Sequence, residues 1–220
     1  MSSIPYTIAV WAAPVLFAIT LHEAAHGWVA NKLGDPTAKS LGRITANPLK
    51  HIDPMGTIIV PLFLALSTSL VVGQSFIMGW AKPVPVQPRY FKSPLLDMAL
   101  VAIAGPVSNF FMACFWAMFI QLSQTVLEPS QTLAFLLEMG KNGIIINVVL
   151  MVLNLFPIPP LDGGRVVAGV LPPNLAMPFM KLERYGMVII ILLLVSGILG
   201  KIMWPIVVHF VKIIGSIFGL

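Results

Sequence analysis

Two histidines four residues apart, His22 and His26, enclose Glu23-Ala24-Ala25, and Gly27 follows. On a helix, residues i and i+4 share a face, so the two imidazoles point the same way one turn apart. That spacing suits two ligands of a tetrahedral zinc ion. Glu23 stands beside the first histidine, off the shared face, and is not expected to bind metal. Its expected work is to take a proton from an activated water and pass it to a leaving nitrogen. A helix that merely packs two histidines is the plainer alternative, but it leaves Glu23 in need of a partner inside an apolar run.

Zinc also needs a third protein ligand and an open position. The chain offers His51, His209 and the remaining carboxylates. Asp162 is the best placed of these. It follows Pro157-Ile158-Pro159-Pro160-Leu161 and precedes Gly163-Gly164. Those prolines prevent a continuous helix and free backbone groups near the site. An ordinary Asp-Gly turn is the competing explanation.

The elements that must position these residues are membrane segments. The chain has 220 residues, of which 58% are hydrophobic and only 10% charged, and its mean hydropathy is +0.93. That composition excludes a soluble globular domain and predicts an all-α polytopic membrane protein, a single membrane-embedded unit over 1–220. The net charge of +5 is small and sits in short loops, a topology signal rather than a nucleic-acid surface. Cys114 is the single cysteine, so no internal disulfide forms. The N-terminus lacks a basic n-region, and its apolar run carries the histidines, so it is not read as a cleaved signal peptide.

Residues 4–30 form the first membrane helix, about 40 Å long, with His22 about 12 Å short of its end. Residues 31–94 hold polar loop and a re-entrant segment over 55–80. Within them, 40–46 are expected as a short strand, and 82–86, with prolines at alternate positions, as an edge strand. Residues 95–127 and 142–157 are further membrane helices, the latter leading to Asp162, with a connecting loop or amphipathic turn over 128–141. Residues 186–220 form the C-terminal membrane segment, with a break into two expected at Gly200-Lys201 and Pro205.

Charge argues for re-entry. If 55–80 crosses fully, Lys32, Lys39, Arg43 and Lys50 lie opposite Lys82, Arg89 and Lys92, against the positive-inside bias. If it dips and returns, all seven share a side with Arg165, Lys181 and Arg184, and Lys141 alone lies opposite. The first helix and 142–156 then run parallel, both ending on the cytoplasmic side.

His22-Glu23-x-x-His26 in a first membrane helix, paired with Asn154-x-x-Pro157-x-x-x-x-Asp162-Gly163, resembles the site-2 protease family of intramembrane zinc metalloproteases (peptidase family M50). Gly105-Pro106-x-Ser108-Asn109 and the stretch 79–86 are similar to small bacterial members. The resemblance covers nearly the whole chain, and the paired motifs are far more specific than either alone. It implies one Zn2+ held by His22, His26 and Asp162, with Glu23 as general base. Asn154 would stabilise the oxyanion or orient substrate. It further implies a three-helix catalytic core in a bacterial cytoplasmic membrane, with the zinc near the cytoplasmic side. The expected partners are the lipid bilayer and a transmembrane substrate protein; nucleic acid is not expected, and a homo-oligomer stays open. Unlike larger members, the protein is expected to lack a PDZ-like domain between the early motif and the later helices and a nucleotide-sensing domain after the last helix.

Two other functions remain in view: a membrane-embedded zincin cutting soluble or loop substrates, and a non-enzymatic zinc-binding membrane protein. Asn109 and Asn147 are expected as glue between helices. His51 and Asp53 are expected to cap the re-entrant segment, and His209 to pack in the interior. Residues 40–46 or 82–86 are also candidates to pair with an unfolded substrate by strand addition.

Overall fold

The computed structural model describes residues 4–59 and 82–220. The re-entrant segment expected over 55–80 falls mostly outside them. Among the described residues no strand forms. The helices are α1 Ile4–Lys32, α2 Thr37–Ser40, α3 Pro94–Val126, α4 Gln131–Asn154, α5 Asp162–Val170, α6 Pro173–Met180, α7 Glu183–Val195 and α8 Ile198–Phe218. Four of these, α1, α3, α4 and α8, are long and apolar enough to cross a membrane. The protein is an all-α, multi-pass membrane protein.

Local chemistry explains the helix ends. Pro94 opens α3 at a position where its missing N–H costs nothing. Asp97 reaches back to accept the Ser93 N–H at 2.9 Å. Ser130 caps α4 by accepting the Leu133 N–H at 3.1 Å. That cap starts the helix at Gln131, earlier than Asn142, and confines the connecting loop expected over 128–141 to residues 127–130. The C-terminal break also moves. It lies at Gly197, whose φ of +74° ends α7 in the left-handed region. Gly200, Lys201 and Pro205 all lie inside α8.

Helices α1, α3 and α4 form the central bundle. α3 and α4 run antiparallel, with Trp116 over Gly143 and Ile120 over Gly140, where any added Cβ would overlap those side chains. Lipid tails are as apolar as the helix surfaces, so close packing at small residues, not burial from water, holds such an interface. Ala113, Trp116, Ala117 and Ile120 of α3 meet Ile144, Val148, Met151 and Val152 of α4, and Val207 and Ile214 of α8 close the cluster. α1 and α4 run parallel. At their starting ends the Tyr6 hydroxyl donates to Glu138 Oε2 at 2.8 Å, and the Tyr6 ring meets Phe135 edge-on.

At the opposite end of the bundle, the loops around α2 meet an extended segment, 82–87. The strand expected over 40–46 is absent: Ser40 ends α2 and the chain then turns through Gly42, at φ +63°. The 82–87 segment is extended as expected but joins no strand. Side chains and a loop carbonyl satisfy it instead. Lys82 N–H donates to His51 O, Val84 N–H to Glu23 Oε2 and Gln87 N–H to Asp35 Oδ2, while Arg43 Nη2 donates to Lys82 O. The start of the segment at Lys82 therefore lies beside His51.

Candidate metal centre

Helix α1 presents His22 and His26 toward α3 and α5, where they are 8% and 9% exposed. Each has one ring nitrogen committed to a neighbour. His26 Nδ1 lies 2.7 Å from Val101 O. A carbonyl only accepts, so neutral His26 carries its proton on Nδ1 and leaves Nε2 bare. His22 Nδ1 lies 2.6 Å from Asn109 Oδ1. The two Nε2 atoms then face one another at 3.0 Å.

Asp162 completes the group as the first residue of α5. Its Oδ2 lies 3.2 Å from His22 Nε2 and 3.3 Å from His26 Nε2. That oxygen is buried and, among the described residues, meets no hydrogen-bond donor. Asp162 reaches that place because the chain folds back tightly on itself. A Cβ on Gly163 would overlap the Leu155 and Phe156 carbonyls, and one on Gly164 would meet Pro159 N. The N-terminus of α5 favours the carboxylate electrostatically.

The donor set tests directly for a cation. Three lone-pair atoms, buried and converging at 3.0–3.3 Å, repel one another unless positive charge lies among them. Ligand bonds of roughly 2 Å at tetrahedral angles place donor atoms about 3.3 Å apart. The observed spacing matches that requirement. His22, His26 and Asp162 are the only group of its kind found among the described residues, with ligand atoms within 4.8 Å of one another. Two imidazoles and one carboxylate suit a borderline metal such as zinc rather than calcium or magnesium.

Gly105 of α3 lies directly against this group. A Cβ there would sit 2.5 Å from His22 Cε1 and His26 Nε2 and 2.6 Å from His22 Nε2. Glu23 stands beside His22 on α1, and its Oε2 accepts the Val84 N–H at 2.8 Å. Asn154 Nδ2 donates to Leu150 O, one turn back in its own helix, at 3.0 Å. His51 is outside the ligand group: its Nε2 donates to Thr45 O at 3.2 Å, and burial together with the Arg43 charge pushes its pKa down. His209, expected to pack in the interior, is instead exposed on α8 beside Phe210.

Three participants were not anticipated in these roles. Asn109 does join helices, as expected, through its bond to Asn147, and in addition contacts His22. Gly105 sets the clearance around it. Val84 binds Glu23 through its backbone. The spacing of Gly105 and Asn109, one turn apart on an apolar helix, was the available signal for the first two. The third depends on long-range geometry that a sequence does not display.

Comparison with known proteins gives curated relatives along most of the chain. A Bacillus subtilis protein named “Putative zinc metalloprotease YwhC” is 38% identical over 208 residues, covering 93% of this chain and 87% of the relative. “Putative zinc metalloprotease Rip2” of Mycolicibacterium smegmatis is 26% identical over 199 residues, 89% of this chain and 70% of the relative. Its namesake in Mycobacterium tuberculosis H37Rv is 24% identical over 192 residues, 84% and 66% of the two chains. No protein-family model and no solved structure matches the chain.

Proposed function

Because the chain belongs to the zinc metalloprotease family of YwhC and Rip2, and is therefore a membrane metalloendopeptidase, we propose that it hydrolyses peptide bonds within or beside membrane-spanning segments of substrate proteins. In this reading it is an intramembrane protease of the site-2 type. His22, His26 and Asp162 hold one zinc ion, Glu23 is the general base, and Asn154 steadies the substrate carbonyl. The convergence of the three ligand atoms, with both histidine Nδ1 atoms already engaged, carries the assignment.

Zinc held by this triad supplies a Lewis acid that acidifies water and polarises a carbonyl. With two neutral imidazoles and one carboxylate as its protein ligands, a bound zinc ion would keep a net positive charge and could admit water or a substrate carbonyl. Glu23 takes the proton of the attacking water and delivers it to the leaving amide nitrogen. The Val84 N–H, bound to Oε2, fixes the carboxylate's orientation for both transfers. Asn154 has a second amide hydrogen beyond the one given to Leu150, and that hydrogen is available to a substrate oxygen.

The positive-inside bias supports a cytoplasm-proximal site in a bacterial cytoplasmic membrane. Arg43 and Lys82 lie in the segments that meet beside Glu23, and Lys32, Lys39, Lys50, Arg89 and Lys92 lie in the same loops or at their helix ends.

Purified protein in detergent should bind one zinc per chain, and His22→Ala or Asp162→Ala should lose it. Glu23→Gln should keep the metal and lose cleavage of a transmembrane substrate by at least a hundredfold. Turnover in Glu23→Gln at matched zinc content would remove the mechanism. Cleavage mapped by mass spectrometry well outside any membrane segment would instead favour a membrane-embedded zincin acting on loops.

A further inference from the structure

Asn109 Oδ1 meets His22 Nδ1, but nothing in that pair alone says which atom donates. The polarity is set farther away. Asn147 of α4 is fully buried, and its Nδ2 lies 2.9 Å from Gly143 O. A carbonyl oxygen accepts and never donates, so the Asn147 nitrogen must face it. The Asn147 oxygen then faces α3, where it accepts from Asn109 Nδ2 at 2.9 Å. Asn109 Nδ2 gives its other hydrogen to Ala18 O of α1 at 3.2 Å. Both hydrogens of the Asn109 amide are thereby used on acceptors, and its oxygen is turned toward His22.

We propose that Asn147 is a positioning residue for the metal centre. By pinning the orientation of the Asn109 amide, it holds His22 in the Nδ1–H tautomer that presents Nε2 as a metal ligand. The inference rests on the zinc assignment above and adds a residue two hydrogen bonds removed from the ligand. Turning the Asn109 amide over would set its nitrogen against His22 Nδ1, drive the ring proton to Nε2 and block coordination. It would also set its oxygen against Asn147 Oδ1 and Ala18 O, two acceptor–acceptor contacts. Removing the Asn147 oxygen withdraws the shorter of the two restraints and leaves Ala18 O.

Buried amides between membrane helices ordinarily act as undirected glue. This chain runs one way: Gly143 O is its fixed end, Asn147 and Asn109 are its links, and His22 is its output. It crosses α4, α3 and α1 in turn, so the seating of α4 is transmitted to a ligand on α1.

A double-mutant cycle separates direction from packing. Asn147→Leu, Asn109→Asp and the pair are prepared without metal in detergent. Zinc affinity is then measured by chelator competition, beside thermal unfolding of the metal-free proteins. Loss of an outer-shell partner of a ligand histidine typically weakens metal binding about 10–100-fold. At one step further removed, Asn147→Leu should weaken zinc about tenfold. An aspartate at 109 can only accept from His22, whatever stands at 147, so in that background Asn147→Leu should cost less than about threefold. Wild-type affinity in Asn147→Leu, or the same loss in both backgrounds, overturns the proposal. Should Asn147→Leu not fold, Asn147→Asp decides. It keeps an acceptor for Asn109 and should hold zinc within about threefold of wild type, whereas a packing role makes a buried charge the worse change. Zinc binding by the wild type and its loss in His22→Ala test the underlying assignment separately.

Discussion

At Gly105 one hydrogen atom occupies the place where any other residue would put a carbon against the imidazoles of both His22 and His26. Neither histidine can retreat, because each is tethered at Nδ1, one to Val101 O and one to Asn109. Gly105→Ala should therefore leave the helical content intact and reduce zinc stoichiometry well below one per chain, measured by metal analysis on protein of native circular dichroism. Full zinc occupancy in that variant would mean that α3 is free to back away from α1. Sequence legibility at this scale followed the range of the interaction. His22, Glu23 and His26 were readable because helix periodicity alone puts two imidazoles on one face. Asp162 was reachable through its prolines and glycines, which mark a broken helix end, and through the family resemblance. That Asn109 and Asn147 bond between helices was readable, but their link to His22 was not, since it depends on the relative seating of three helices.

The extended segment 82–87 shows how an element can be held without belonging to a sheet. Pro83 and Pro85 have no N–H to give, and the hydrogen bonds of Lys82, Val84 and Gln87 end on a loop carbonyl and on the carboxylates of Glu23 and Asp35. Alternating prolines announced an extended conformation, but they do not reveal which atoms will face it. The strand expected over 40–46 failed for a related reason: Arg43 spends its guanidinium on the Lys82 carbonyl instead of facing a neighbouring strand. Asp35 ties the two regions together. Burial raises its pKa, but hydrogen bonds from Thr37 and from the Gln87 N–H outweigh that and hold the carboxyl below its ordinary value. A carboxylate with a depressed folded-state pKa contributes stability above its unfolded value and loses that contribution as pH falls through the folded one. Asp35→Asn should thus lower the unfolding temperature at pH 7, and the gap from wild type should close below about pH 4. A gap independent of pH would show that Asp35 works through shape rather than charge.

Across the whole molecule, α1 and α4 run parallel and touch directly, α3 runs antiparallel against both, and Asn109 links the C-terminal halves of α1 and α4 through His22 and Asn147. The composition and the apolar runs made the all-α membrane architecture legible, whereas the start of α4 was hidden. Its first turn looks polar until Ser130 is seen as a cap. The same arrangement puts 33–51 and 82–93 at one end of the bundle. With Cys114 replaced by serine, single cysteines at Lys39, Lys50 and Lys92 should react with an impermeant thiol reagent from one face of sealed vesicles. One at Pro129, between α3 and α4, should react from the other. Labelling of Lys50 and Lys92 positions from opposite faces would rule out the shared end.

The C-terminal helices bear on the centre through Gly186. There α7 lies so close to the Pro159 carbonyl that even a methyl group would overlap it, and three residues after Pro159 comes Asp162. On a linear map Gly186 belongs to a lipid-facing anchor far from either histidine. To a geneticist collecting inactive alleles, substitutions there would look like faults of membrane insertion, while their lesion would lie in the placing of Asp162, the proposed third ligand.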